Sequence, residues 1–397
     1  MMKTGIKIFI SLLAGAFIFS CQKENHPEVS EELAVNPVEI EASASLASYV
    51  MDVTSNARWT VRVEGVDGAD ASWISLSRTS GNGNLQVSVR VSENRYNEPR
   101  AAAIVFETAG GERAQVALTQ LANEVGEEAP DGDILYVGSY NLRMSHLDKG
   151  ENAWEERKDR LKSSLMACPF DVFGVQEVDT KTQTWLDSEL SSKYAFRYFS
   201  PYAKDGKGTR AQGIGYRKDK FELVEWHYFW ACSTPFDMTV NDTGSEGSFN
   251  RGGCCCILMN KTTGEKYFVM NNHGCLNDQS NIDAAPVYVE MEKKFNKEGF
   301  PSFFVGDMNA KQSSAEGSVY MIYTAHWTDS YLKAIKRTGA SGTYNGYKHP
   351  NGSSRIDMVL YRGEGITPQL YNCDNTLYGG LYPSDHFPVW VEFKIEK

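Results

Sequence analysis

Five runs in the second half of the chain share a grammar in which an apolar, strand-like stretch meets a polar residue that is costly to bury. "ILYVGSYN" ends at Asn141, "DVFGVQE" at Glu177, "KYFVMNNH" at His273, and "SFFVGDMN" at Asp307 and Asn309. "RIDMVLY" instead begins with Arg355 and Asp357, and a further "SDH" adds Asp385 and His386. Carboxylates and amides are the oxygen ligands a hard divalent cation prefers. A carboxylate also orients and partly deprotonates a water, while imidazoles and amides donate to a developing oxyanion. Taken singly, each residue has an ordinary use. Glu177 could be a solvated strand end, Asn141 and Asn309 turn residues, and Asp357 a surface partner of Arg355. The ordered set is what points to chemistry.

Such groups need rigid strand tips to hold them. Strand-like and helix-like segments mix from residue 133 to 397, which predicts an α/β layered domain. "NAWEERKDRLKSSLMA" (152–167) reads as a helix with Asn152 as N-cap and Glu155 three residues on. Trp154, Leu161 and Leu165 share its apolar face, and Cys168-Pro169 ends it. His227 in "EWHYFW" reads as packing and His349 as a turn residue. Upstream, residues 34–122 are all-β in pattern: "LQVSVRV" alternates strictly, and "SGNGN" and "AGGE" are turns. Residues 123–132 form an acidic, Gly/Pro-containing linker.

The order of "YNLR", "GVQE", "NNH", "GDMN", "SRIDMVL" and "SDHFPV" resembles the endonuclease/exonuclease/phosphatase superfamily. "HWTDS" and "GTYN" stand where that family has a similar tract. The resemblance implies a four-layer α/β sandwich, two mixed sheets packed face to face and flanked by helices. It implies a metal-dependent phosphoesterase that cleaves a phosphodiester or phosphomonoester by in-line attack of an activated water. Glu177 and Asn141 would hold Mg²⁺ (or Mn²⁺), Asp307 would activate the water, and Asn309 would donate to a phosphate oxygen. His273 and His386 would meet the phosphate as protonated donors. Asp357 would pair with one of them and Asp385 would position the loop carrying His386; the sequence leaves open which partner serves which histidine. Arg251 in "FNRGG" is a candidate phosphate ligand. The chain departs from the family's nucleases in "KGTRAQGIGYRKDKF", which lacks the customary glutamate and offers Arg210 and Gln212 instead.

Residues 34–122 resemble a BACON domain, an immunoglobulin-like sandwich, through Trp59, Trp73, the "SGNG" turn, Asn94, Arg100 and Gln120. That family's association with carbohydrate makes a glycan contact one expectation and a spacer role another. Trp59 and Trp73 read as core more readily than as a sugar platform.

Lys3 and Lys7 precede an apolar run at 8–17 too short to span a bilayer, so residues 1–20 read as a secretory signal. "IFSC" resembles a lipobox with Cys21 as the lipidated residue and 21–33 as a tether; the alternative is an ordinary signal peptide with an incidental Cys21. The expectation is a monomeric cell-envelope lipoprotein, held at the outer membrane by its lipid alone and facing the periplasm or cell surface. Seven other cysteines match no zinc spacing; Cys254 and Cys256 would share one strand face and Cys255 the other. Residues 130–397 hold 30 Lys and Arg against 34 Asp and Glu, so −4 of the −11 net charge lies there. That is not the basic surface of a tight polynucleotide binder. A phosphorylated small molecule or lipid therefore suits it better than long nucleic acid; a secreted nuclease and a non-catalytic glycan- or ligand-binding lipoprotein are the alternatives.

Overall fold

A computed structural model of the chain describes residues 30–66, 69, 71, 73–123, 133–202, 206, 210–237 and 251–396. The leader, Cys21, most of the tether and residues 124–132 lie outside the described residues.

The N-terminal strands are β1 (Leu33–Asn36), β2 (Glu39–Ala42), β3 (Ala47–Ser55), β4 (Arg58–Gly65), β5 (Ile74–Leu76), β6 (Ser80–Asn82), β7 (Leu85–Val91), β8 (Arg100–Thr108) and β9 (Arg113–Gln120). They form two sheets, β1-β3-β7-β5 and β2-β9-β8-β4-β6. Alternation buries Val87, Val89 and Val91 against Ile104, Phe106 and Val116 of the facing sheet. Trp59 and Trp73 are in this core, 2% and 6% exposed, so neither offers a face to a sugar. Gln120 and Asn94 tie the strand ends through backbone carbonyls, and Arg100 lies over the Trp73 ring.

The second unit comprises β10 (Asp133–Asn141), α1 (Trp154–Ala167), β11 (Val172–Val178), α2 (Thr180–Glu189), β12 (Tyr194–Phe199), β13 (Ala211–Arg217), β14 (Phe221–Trp230), β15 (Gly252–Asn260), β16 (Lys266–His273), α3 (Asp278–Phe295), β17 (Ser302–Asp307), α4 (Val319–Thr324), β18 (Thr328–Asp329), α5 (Ser330–Lys333), β19 (Lys336–Gly339), β20 (Asp357–Arg362), β21 (Ile366–Cys373) and β22 (Val389–Ile395). A seven-stranded sheet, β12-β13-β11-β10-β22-β21-β19, faces a six-stranded one, β14-β15-β16-β17-β20-β18. Val137, Val172 and Val391 meet Cys254, Cys256, Val269, Val305 and Val359 between them. The other face of the second sheet packs Cys255, Phe268 and Phe304 on Tyr288 of α3 and Tyr323 of α4. The first sheet packs Tyr140, Phe173 and Val175 on Leu161, Leu165 and Leu186 of α1 and α2. Strands buried on both faces read as continuous apolar runs for this reason.

Cys254 and Cys256 face one side of their strand and Cys255 the other, as the strand period requires, and all seven described cysteines are buried. Helix α1 starts later than the sequence pattern implies. Gly150–Asn152 form a 3₁₀ turn, closed by the Ala153 N–H on the Gly150 carbonyl at 3.0 Å, and Ala153 is the N-cap without a side-chain cap. No helix among the described residues is long and apolar enough to cross a membrane.

The two units meet at Glu392 on β22. Its buried carboxylate accepts from Arg95 and Tyr96 of the N-terminal sandwich and, at 2.9 Å, from the Tyr136 hydroxyl.

Candidate active site

Sheet register assembles the site. The parallel pair β16/β17 sets His273 opposite Asp307, and the antiparallel pair β17/β20 sets Asp307 opposite Asp357. In the facing sheet, Asn141 lies opposite Gln176, one residue before Glu177. Glu177 adopts a positive φ of 56°, at a register shift between β11 and β13. That conformation is uncommon for a residue with a Cβ and is held by its surroundings.

A polar seam joins the sheets beneath. Gln176 Nε2 donates to Asn271 Oδ1 at 2.7 Å, and Asn271 Nδ2 donates to the Val175 and Gly213 carbonyls. Gln212 donates to the Gly252 carbonyl at 2.6 Å. These fully satisfied amides lock the two sheets in one offset, which fixes the spacing of the groups above.

Asn141 bridges the sheets at the mouth. Its Nδ2 donates to Glu177 Oε1 at 3.2 Å and to Asp307 Oδ2 at 3.0 Å, while its Oδ1 takes the Arg143 N–H. The Asn309 N–H donates to Asp307 Oδ1 at 3.0 Å, and its side-chain amide donates to the Gly274 carbonyl. His386 Nδ1 lies 2.8 Å from Asp357 Oδ2. His386 Nε2 and His273 Nε2 are 3.8 and 3.7 Å from the same oxygen, Asp307 Oδ2. Asp307 therefore stands at the centre, with an amide on one side and two imidazoles on the other.

The charges are unequal. Burial alone lowers the His386 pKa, but Asp357 and Asp307 together outweigh it and raise it to about 10, so this ring is a cation at neutral pH. His273 goes the other way: burial, with the nearby charges of Arg251 and His386, pushes it well below the usual histidine value. The expectation of two protonated histidines is thus corrected; His273 is neutral and donates through a single N–H. Burial and the Asp357 charge raise Asp307.

The partner question is settled by distance. Asp357 holds His386, and Asp385 does not; its Oδ2 meets Arg143 Nη1 at 3.3 Å, while its backbone carbonyl takes the Asn345 and Gly346 N–H groups. Arg355 is buried and pairs with Asp329 at 2.7 Å, so a surface pair with Asp357 is excluded. The absent glutamate raises the expectation that His386 lacks a carboxylate partner; Asp357 fills that place, and Gln212, in the altered tract, donates to backbone carbonyls of β15 and β16. Arg251 is close enough to depress His273 and so borders the site. His227 stacks on Phe295 and His349 is exposed in a turn, as their contexts suggest.

Two residues escaped the sequence reading. Arg143, at φ 58°, lies 3.3 Å from Asp385 and 4.0 Å from Glu177; it ends the "YNLR" motif, which was its one signal. Arg157 of α1 is fully buried and donates to the Leu142, Arg143, Met144 and Pro383 carbonyls, at 2.5 to 3.4 Å. It binds the loop after Asn141 to the loop before His386. Nothing in its helical context distinguishes it from the half-buried Arg160 three residues on.

The donor set suits a hard divalent cation. Glu177, Asp307 and Asp357 crowd negative charge at one end of the sheets, and Asp357 Oδ1 is buried without a hydrogen-bond partner. Asp307, Asp357 and His386 can bring one ligand atom each within 4.8 Å of one another. His386, though, is cationic, hydrogen-bonded to Asp357 and 3.8 Å from Asp307, so it sits between the two carboxylates as their counter-ion. The all-oxygen pair of Glu177 and Asn141 fits Mg²⁺ or Mn²⁺ better.

A sequence model of the endonuclease/exonuclease/phosphatase family matches residues 138–386, and the chain belongs to that family. The BACON model, a putative N-terminal binding domain, matches residues 62–121. Among solved structures, an endonuclease/exonuclease/phosphatase family protein from Bacteroides thetaiotaomicron is 26% identical, with TM-score 0.60, covering 67% of this chain and 99% of that one. The mannosyl-6-phosphatase of the same organism is 26% identical, with TM-score 0.57, covering 65% and 99%. The Ccr4 3'-5'-exoribonuclease subunit of the CCR4-Not complex from Kluyveromyces lactis is 21% identical over 301 residues, 62% of this chain. The chain spans only 38% of that relative's length. Phosphoric ester hydrolysis is the chemistry these relationships support.

Proposed function

We propose that the protein is a Mg²⁺-dependent phosphoesterase acting on a phosphate ester of modest size by in-line attack of water. The observation that carries this reading is Asp307 Oδ2, which receives the Asn141 amide at 3.0 Å and faces His273 and His386 Nε2 at under 4 Å. A water beside it would be oriented and partly deprotonated by a carboxylate whose raised pKa suits a base. Asn309, through its second amide N–H, and the neutral His273 would donate to phosphate oxygens. His386, charged and fixed by Asp357, would stabilise the oxyanion and protonate the departing alkoxide. Glu177 would hold the cation, with the second lone pair of the Asn141 carbonyl completing the protein's share. When bound, Mg²⁺ supplies neutralisation of the phosphate and of the carboxylate cluster.

The net negative charge supports a small ester over long nucleic acid, and likeness to a mannosyl-6-phosphatase supports a sugar phosphomonoester. The likeness to Ccr4 keeps a nuclease as the second reading. We place the protein in the cell envelope, anchored through Cys21, with residues 34–122 as a binding or spacer domain; palmitate labelling lost in Cys21→Ser tests the anchor.

The enzyme reading is tested with soluble protein starting after Cys21, on bis-(p-nitrophenyl) phosphate, phenyl phosphate, hexose 6-phosphates, sphingomyelin, inositol phosphates, DNA and RNA, in Mg²⁺ or EDTA. Metal-dependent turnover lost in Asp307→Ala and His386→Ala is expected. The same background from all three proteins on every substrate would sink it.

A further inference from the structure

Beside Asn309 opens a cavity of about 380 Å³, between the first turns of α3 and α4 and the segment after β17. Asn309 belongs to both spaces, since its N–H bonds Asp307 and its side chain lines the cavity. A phosphate seated at Asp307 and Asn309 therefore lies beside this opening. The volume lies at the lower end of the roughly 300–1,000 Å³ of ligand clefts, which suits a single ring rather than a chain of residues.

The lining selects among ligands by chemistry. Asp278, Lys311 and Ser313 supply a carboxylate, an ammonium and a hydroxyl, so acceptors and donors are both present and the formal charges cancel. Ile282, Val319 and Ile356 supply an apolar wall. Among the described residues that line it the one ring is Tyr320, 6% exposed and bonded through its hydroxyl to Asp329 at 2.8 Å, so these offer no open aromatic face within the cavity for a base to stack on. Among the described residues no arginine lines the cavity either. A nucleobase needs such a platform and a polynucleotide needs net positive charge. A pyranose or cyclitol needs neither: its hydroxyls meet mixed polar groups and its C–H face meets aliphatic side chains.

We infer that this cavity is the subsite for the non-phosphate half of the substrate, and that it takes a polyhydroxylated ring, so that the enzyme's substrates are sugar or polyol phosphates. The inference rests on the phosphoesterase reading and extends it to substrate class. Lys311 and Asp278 become specificity-determining residues, and Ile282 sets the depth of the subsite.

The test compares KM for mannose 6-phosphate and for phenyl phosphate in wild type, Ile282→Trp and the Asp278→Ala/Lys311→Ala double variant, all in Mg²⁺. Wild type should favour the hexose phosphate in kcat/KM. Both variants should raise its KM at least tenfold more than that of phenyl phosphate, while kcat for the two esters changes in parallel. One variant alters the subsite by bulk and the other by polarity, so misfolding of either leaves the other to decide. Vesicles carrying a phosphoinositide form a second arm, and preference for them over mannose 6-phosphate would identify the ring as a lipid headgroup. Turnover of both esters with an unchanged KM ratio would overturn the subsite alone. No turnover of any ester would overturn the phosphoesterase reading and this inference together.

Discussion

His386 Nδ1 lies 2.8 Å from Asp357 Oδ2, and both side chains are buried at the end of the inter-sheet seam. The carboxylate fixes the ring plane and turns its other nitrogen toward Asp307. It also helps to keep the ring charged, against a burial that alone would neutralise it.

Asp357→Asn removes that charge and lowers the His386 pKa. We expect kcat to fall by about 10²- to 10⁴-fold, the range of a general acid. The alkaline limb of kcat should move from near pH 10 toward neutrality. The sign for stability follows from linkage. A histidine raised from 6.5 to about 10 contributes stability that is fully present below pH 6.5 and is lost as pH rises through about 10. The stability gap between wild type and Asp357→Asn, read from urea melts, should therefore narrow between pH 6.5 and 10. A constant gap would contradict the assignment.

Glu177→Gln tests the cation site without relying on turnover. With Mg²⁺ at about a hundredfold over its Kd, wild type should gain about 2.7 kcal/mol, seen as a rise in Tm. The variant should lose most of that gain. An equal Tm rise in both proteins would place the ion elsewhere.

Arg157→Met should act through the loops it ties. Four backbone carbonyls lose their donor, so a destabilisation of about 2 kcal/mol or more is expected in denaturant melts. Since the tied loops carry Arg143 and His386, kcat should fall more than KM rises, with partial recovery in Arg157→Lys. A stability loss with unchanged kcat would assign Arg157 to packing alone.

Arg95→Ala leaves the Glu392 carboxylate buried with two hydroxyl donors and no cation. A cost of about 3 kcal/mol is expected, the lower end for breaking a buried pair. Glu392→Ala/Arg95→Ala should cost less than the sum of the single changes, which urea melts of the four proteins measure. Additive costs would show that the two side chains do not interact across the units.

Much of the fold was legible because the site strands carry local signals. Apolar runs end at Asn141, His273 and Asp307, where the strands end too, and alternation in "LQVSVRV" gives the buried Val87, Val89 and Val91. The contents of the site were legible for the same reason, its wiring less so. The charge state of His273 depends on its burial and on Arg251 and His386, which arrive from distant parts of the sequence, and no local pattern carries that. Arg157 looks like any helical arginine until the loops around it are in place. Asn152 has the right chemistry for an N-cap, but a 3₁₀ turn takes it up and the helix begins beyond it.

Gly274, just after His273, crosses the chain after Asp307 so closely that a Cβ there would sit 2.1 Å from the Met308 carbonyl oxygen. Its own carbonyl takes the Asn309 amide, and Asn281 holds Met308 from the helix side at 2.8 Å. The two loops are laced, so the second cannot be lengthened or swung outward near the crossing without dragging His273 from the phosphate. A change of substrate is then open to side-chain exchange farther along the loop, at positions such as Lys311 and Ser313, with the crossing itself left in place.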